Sequence, residues 1–350
     1  MKTSMIGLVA VALLLSACGG EQGFDQEGEE DYGVEEEQVV GEEMVGEEVR
    51  VDAESLGIDI EDLDASPGAK GGPPRRVLEG KRSIVCAGIK WQNREKPAAT
   101  EAACNSLSRR LADFYRDNSR GLLTLVPVAG HPVAVPYDGN NAHLAAAEKM
   151  VKNTFNADFY VIPSIFTHPH AGGKVAHVKS AQLMTAAHEV GHLLGLGHAG
   201  RYTYGANGKT ELNAYGDTKS IMGRVFSNFL SPPQYYYLGW LPDDEVAMYD
   251  PMVDSYLVKQ ISDFKGSGLA TVMVPPAGQG GRWAFIGALR CPKSPSKTCV
   301  TLHLANGGGS QKVAESSNEI YDERFTGLHI KVLEVSEQRA RISIDYEPKP

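Results

Sequence analysis

The sequence predicts an α+β fold, a mixed twisted sheet layered with helices and followed by a small β-sandwich-like part. Three observations lead there. Between residues 83 and 166, β-type runs alternate with runs of helical spacing. A further helical run over 180–194 stops at a glycine. After about residue 246 only short apolar runs remain, each bounded by Gly, Pro or Ser. A chain of 350 residues with 42% hydrophobic residues can bury a real core.

The first 18 residues read as an export signal. Lys2 supplies the positive start, and residues 5–15 form an apolar run too short to span a membrane as a mature helix. It ends in Leu15-Ser16-Ala17-Cys18, which resembles the bacterial lipobox. That resemblance implies cleavage before Cys18, lipidation of Cys18 and a membrane anchor of several acyl chains. Gly19, in place of Asp, points by resemblance to Gram-negative lipoproteins toward the outer membrane or cell surface.

Residues 19–79 are expected to form an acidic, disordered linker. Residues 21–66 hold 19 Asp or Glu and one basic residue, and like charges at this density repel. The whole chain carries −10 and residues 1–20 only Lys2, so residues 67–350 carry a net +7. The acidity thus belongs to one segment, and the rest is too mildly charged to suggest nucleic acid. Two roles stay open for the segment. As a tether, some 50 flexible residues would reach roughly 35–40 Å. As a pro-segment, it would block the site with a carboxylate or thiol, although no cysteine-switch sequence is present. Lys70, Arg75, Arg76, Lys81 and Arg82 form a basic patch behind it, read as a solvated linker end or a processing site.

The folded part is expected to begin at residue 80, with one domain over 80–245 and a β-rich domain over 246–350. In order, 83–89 reads as a buried strand and 100–118 as a helix with Ala103, Leu107, Leu111 and Phe114 on one face. Residues 122–128 form a strand, 142–155 a helix and 159–166 a strand. Residues 175–178 form a short edge strand. The segment 171–178 would accept an extended peptide by strand addition, with Gly172-Gly173 allowing close backbone approach. Residues 180–194 form a helix, 200–220 a Gly- and Tyr-rich loop, and 232–238 a last helix whose Tyr235, Tyr236 and Tyr237 serve packing. The β-type runs of the C-terminal part are 270–274, 283–289, 300–304, 328–335 and 340–346.

Four cysteines remain after Cys18, an even number suited to an oxidising compartment. Three pairings are possible. Cys86 with Cys104 and Cys291 with Cys299 are favoured, because each pair is local and stays within one part of the chain. The second would close a hairpin around residues 292–295.

The chemistry sits in residues 188–198, His-Glu-Val-Gly-His-Leu-Leu-Gly-Leu-Gly-His. On a helix His188 and His192 lie one turn apart on the same face, where two imidazoles reach one metal. Glu189 stands beside them as a proton acceptor. Gly195 permits the left-handed turn that ends the helix and brings His198 round as a third nitrogen. Three protein ligands leave a fourth position open, as catalytic zinc sites do. At this composition a chance match is below about one in ten thousand.

This motif resembles the metzincin zinc-peptidase signature. Tyr215-Gly216-Asp217, followed by Ser220-Ile221-Met222-Gly223, is similar to the Met-turn of that group. Together with Leu238-Gly239-Trp240-Leu241 it resembles the gametolysin family and its bacterial relatives. The resemblance covers roughly 82–245. It implies a metzincin-like protease domain and a zinc-dependent endopeptidase that cuts proteins or peptides with metal-activated water and Glu189 as general base. His188, His192 and His198 would hold Zn2+, and Met222 with Gly223 would form a hydrophobic floor. Where some metzincins carry a Tyr two residues after the Met, this chain has Arg224, so no Tyr ligand is assigned. Arg224 is instead a candidate wall of the pocket for the residue after the cut. The alternative is a surface lipoprotein serving binding or adhesion, with a non-catalytic zinc site.

Gly195-Leu196-Gly197-His198-Ala199-Gly200 matches a dinucleotide motif but follows a helix instead of a strand. Gly208-Lys209-Thr210 lacks the upstream Gly of a phosphate loop, since Thr203 stands there. His168 and His170 flank Pro169 and read as a surface loop before a second metal site. Asp217 is expected to stiffen the Met-turn by hydrogen bonding in preference to holding calcium.

Overall fold

A computed structural model describes residues 72–350, apart from 166–167, 205–208, 224–226, 264, 277–280, 292–295, 306, 324 and 348–350. Cys18, the acidic segment up to residue 71, Arg224 and the turn at 292–295 lie outside the described residues. The described residues fall within one structural unit, Val51–Pro350, of α+β type.

The first layer is a five-stranded sheet. Its strands are β1 (Gly80–Cys86), β3 (Leu123–Val128), β5 (Phe159–Pro163), β6 (His170–Gly172) and β7 (Val175–Val178), in the order β3-β1-β5-β7-β6. All neighbours are parallel except β6 on β7. A short parallel pair, β2 (Ile89–Trp91) and β4 (Val133–Val135), lies apart from it. The alternation of side chains along each strand separates two cores. Ile84, Cys86, Val161, Ala176 and Val178 face α1 (Glu101–Asn118) and α3 (Leu183–Leu193). Val85, Tyr160, Ile162 and Val175 face the other way, toward Ala147 and Val151 of α2 (Leu144–Thr154).

α1 starts at Thr100, whose hydroxyl caps the amide of Ala103 at 3.2 Å, and buries Leu107, Leu111, Phe114 and Tyr115. Cys104 on its inner face bonds to Cys86 of β1, with Cα atoms 5.0 Å apart. Cys291 and Cys299 form the second disulfide, with Cα atoms 4.9 Å apart.

The β-rich part is a sandwich. One sheet has seven strands: β10 (Val246–Met248), β12 (Thr271–Val274), β13 (Trp283–Arg290), β14 (Thr298–Ala305), β15 (Ser310–Ser316), β8 (Ala199–Tyr204) and β9 (Thr210–Asn213). The other has four, in the order β11 (Tyr256–Lys259), β18 (Arg339–Tyr346), β17 (Leu328–Val335) and β16 (Glu319–Asp322). Val272, Ile286, Val300 and Leu302 of the first meet Val258, Ile330, Ile342 and Ile344 of the second.

Three expectations change here. The boundary at 245–246 does not separate two cores. β8 runs parallel to β15 within the seven-stranded sheet, with Ala199 opposite Ser310. The outer face of that sheet, through Met273, Phe285 and Leu289, shares a core with Tyr235, Tyr236 and Trp240. α4 (Pro232–Tyr237) rests there, and a Cβ at Gly287 of β13 would meet Pro232. The segment read as a loop over 200–220 supplies the connecting β8–β9 hairpin.

Order also begins before residue 80. Arg75 and Leu78 are buried. Arg75 lies over the Tyr236 ring at 4.5 Å, donates to Leu241 O at 2.9 Å and pairs with Asp243 at 2.8 Å. The indole of Trp240 donates to Leu78 O at 2.9 Å. The middle of the basic patch is therefore a strap clasped by the 236–243 segment. The average composition of the acidic run hid it, because an Arg stacked on Tyr and bonded to carbonyls is stable in a partly buried place.

Finally, β7 is an interior strand. Gly173, with φ +55°, turns the chain back, so β6 takes the sheet edge.

Candidate metal centre

α3 is amphipathic in the required sense. Ala186, Ala187 and Val190 go into the core shared with α1 and the five-stranded sheet. The opposite stripe carries His188 and His192, one turn apart. The Tyr115 hydroxyl, fully buried, donates to Ala187 O at 2.5 Å and fixes the middle of the helix against α1.

Gly195 ends the helix with φ +86°. The amides of Gly195 and Leu196 donate back to His192 O at 2.9 Å and Gly191 O at 3.0 Å, closing the free carbonyls of the last turn. The turned chain places Leu196 O 2.7 Å from His192 Nδ1. His188 Nδ1 lies 2.8 Å from Ile221 O. A carbonyl only accepts, so both rings carry their proton on Nδ1 and keep the Nε2 lone pair free for a metal.

His198 follows immediately. Its loop is held by Gly197 N to Gly308 O at 3.2 Å and by Ser310 N to His198 O at 3.2 Å. Ring centroids of His188, His192 and His198 stand 4.8 to 5.4 Å apart. One ligand atom from each converges within 4.8 Å of the others, the arrangement that could hold a metal ion. Among the described residues no other group of His, Cys, Asp or Glu converges in this way.

Burial keeps these imidazoles neutral. It lowers His188 to about 4, helped by the neighbouring His192, and lowers His198 to about 3, helped by both other histidines. Burial also lowers His192. At pH 7 the triad therefore offers lone pairs without first releasing protons. Glu189 responds in the opposite sense, its carboxyl raised by burial to about 7. Its Oε2 is buried without a protein hydrogen-bond partner. A buried acceptor left open beside three convergent imidazoles is an unusual place for a carboxylate unless something else fills the site.

Beneath the triad lies the predicted turn. Met222 is fully buried, and a Cβ on Gly191 would run into its sulfur, so the helix needs a glycine there. Met222 O accepts from Ala199 N at 2.8 Å. A Cβ on Gly223 would collide with the carbonyl of Asp217 and come within 2.9 Å of that of Ala199. Tyr215 lies beside the triad, its ring 4.1 Å from that of His198 and 6.0 Å from that of His188.

Two supports escaped the sequence reading. Gln234, fully buried in α4, donates to Gly197 O at 3.0 Å and accepts from Ser220 Oγ at 2.8 Å. One carboxamide thus ties the His198 loop to the Met222 turn, while also capping its own helix at Ser231. The capping box Ser231-x-x-Gln234 was a visible signal for half of this role. The second support is a buried charge cluster. Asp217 Oδ1 lies 2.6 Å from Lys312 Nζ, and Oδ2 lies 3.2 Å from His303 Nε2. Burial pushes Asp217 up, but the hydrogen bond from His303 and the charges of His303 and Lys312 outweigh it. The carboxyl ends well below the usual range. Asp217 also accepts from Lys219 N at 3.1 Å, a hydrogen bond within the turn that stiffens it.

Among the described residues, His168 and His170 join no group of three or more converging ligands. The His170 ring stacks on His177 at 4.6 Å, and its Nδ1 donates to His168 O at 2.8 Å.

No protein-family model matches the chain, and no curated protein matches it. Among solved structures it is similar to the crystal structure of wild-type OgpA from Akkermansia muciniphila, with 11% identity over 67% of this chain and 93% of that one and a TM-score of 0.30.

Proposed function

We propose that the chain is a zinc-dependent endopeptidase of the metzincin type, with Glu189 as general base. The observation that carries this reading is the Glu189 carboxylate. It is buried, its proton affinity is raised to near neutrality, and it has an open oxygen beside three imidazoles whose free nitrogens converge. A purely structural metal site needs no such carboxylate.

The donor set fits zinc: three neutral imidazoles, two of them oriented by backbone carbonyls. A bound zinc ion would supply the Lewis acid that polarises a peptide carbonyl and acidifies water. The remaining steps belong to the chain. Glu189 takes a proton from the attacking water and hands it to the departing amine, with a carboxyl pKa suited to doing both near pH 7. The β6 strand, His170–Gly172, forms the sheet edge next to α3, where an extended substrate can lie as an added strand. A mixed sheet packed against the histidine-bearing helix supports this reading.

The same reading includes lipidation at Cys18 and the acidic segment as a tether to an outer membrane or cell surface. The test is a digest of unfolded proteins with the chain from residue 19 onward, comparing wild type and Glu189→Ala at equal bound zinc. Cleavage by wild type alone is expected. Zinc bound by both with no cleavage by either would sink the protease reading in favour of a binding or adhesion lipoprotein.

A further inference from the structure

Tyr215 is 48% exposed, so burial of its ring does not explain its position. Its backbone is nonetheless pinned on both sides. Tyr215 N donates to Asn213 Oδ1 at 3.0 Å, Gly216 N to Asn213 O at 3.0 Å and Asp217 N to Ala199 O at 3.2 Å. A Cβ at Gly216 would come within 2.7 Å of Arg201 Cβ, so the chain passes there in one way. Two residues on, Asp217 is locked by Lys312 and His303. This fixed frame holds the ring over His198 and nearly parallel to His188, at the solvent side of the triad.

We propose that the Tyr215 hydroxyl is a catalytic hydrogen-bond donor to the carbonyl oxygen of the scissile peptide as that oxygen gains negative charge. This rests on the protease reading above. No proton leaves Tyr215. The proton from water goes to Glu189 and then to the amine, while Tyr215 strengthens one hydrogen bond as charge builds and relaxes it afterwards. A donor fixed in advance stabilises the transition state more than the neutral substrate, so its loss appears in kcat. The triad holds its geometry through carbonyl bonds to His188 and His192 and needs no help from this hydroxyl.

The experiment compares zinc-loaded wild type, Tyr215→Phe and Tyr215→Leu. It uses a peptide spanning a cut site mapped with the wild type and a phosphinic peptide isostere of that site. Tyr215→Phe keeps the ring and is expected to bind zinc with wild-type stoichiometry and affinity. Its kcat should fall on the order of 100-fold with little change in KM, and its affinity for the phosphinic peptide should fall much more than that for the uncleaved peptide. Wild-type kcat and phosphinic affinity in Tyr215→Phe would overturn the proposal. Loss of zinc affinity in Tyr215→Leu alone would then assign the ring to shielding His198. Absence of any cleavage by wild type would instead bring down the protease reading beneath it.

Discussion

Replacing Lys312 with Met tests whether the β-rich part builds the metal centre. The change keeps most of the side-chain volume and removes the ammonium 2.6 Å from Asp217 Oδ1. Asp217 is 0% and Lys312 1% exposed, so the carboxylate would stay in the interior with His303 as its remaining side-chain hydrogen-bond partner. Glu315, 3.3 Å from the same ammonium, would lose it too. Removing one member of a buried pair costs about 3–5 kcal/mol, since the other stays desolvated and uncompensated. For a chain of this size, about 2 °C of melting temperature accompanies each kcal/mol, so the midpoint should fall by roughly 6–10 °C. Asp217 also borders the backbone that carries Ala199 and Gly223, so metal affinity should fall with stability. The assay is urea and thermal unfolding of metal-free protein, with cobalt titration, for Lys312→Met, Asp217→Asn and the double variant. The double removes both charges and should be more stable than the sum of the singles implies, by about 1–3 kcal/mol of coupling. A Lys312→Met midpoint equal to wild type, or strict additivity in the double, would refute the reasoning.

Other outcomes follow from the same contacts. Gln234→Leu strands Gly197 O, Ser220 Oγ and Ser231 without their partner and should cost about 2–3 kcal/mol. It should also weaken cobalt binding at equal helix content by circular dichroism. Gly191→Ala drives a methyl into the Met222 sulfur; a loss of about 1–3 kcal/mol is expected in urea melts, relieved when Met222 is shortened to Ala in the same chain. Removing residues 72–79 takes away the burial of Leu78 and the Arg75 clasp, and should lower stability by about 2–4 kcal/mol when the fragments 72–350 and 80–350 are melted side by side. Glu148 is held at about 2 by its hydrogen bond to His177, against burial and with help from Lys152. A depressed carboxyl stabilises the fold above its unfolded pKa of about 4.3, and that contribution disappears as pH falls toward 2. Stability of Glu148→Gln should therefore vary less with pH between about 4.5 and 2 than that of wild type; parallel pH–stability curves would contradict this.

What could be read from the sequence is local. His188 and His192 share a face because a helix repeats every 3.6 residues, and Gly195 marks the turn to His198 because only glycine accepts that dihedral cheaply. Cys86–Cys104 followed from proximity along the chain, as did Cys291–Cys299. The runs of α1 and β1 follow from periods that span a few residues.

The tertiary structure alone decided the rest. Lys312 meets Asp217 across 95 positions because β15 runs parallel to β8 in one register, and no local period encodes that pairing. Arg75 looks like any linker arginine until the segment 236–243 supplies its ring, carbonyls and carboxylate. Gln234 became a tie between two site loops, and Tyr215 a ring over His198, through chain packing that places sequence-distant groups within hydrogen-bond or van der Waals reach. The motif thus specifies which ring atoms converge at the candidate metal centre. The long-range contacts, which lie beyond the reach of any helix or strand period, hold those atoms in place.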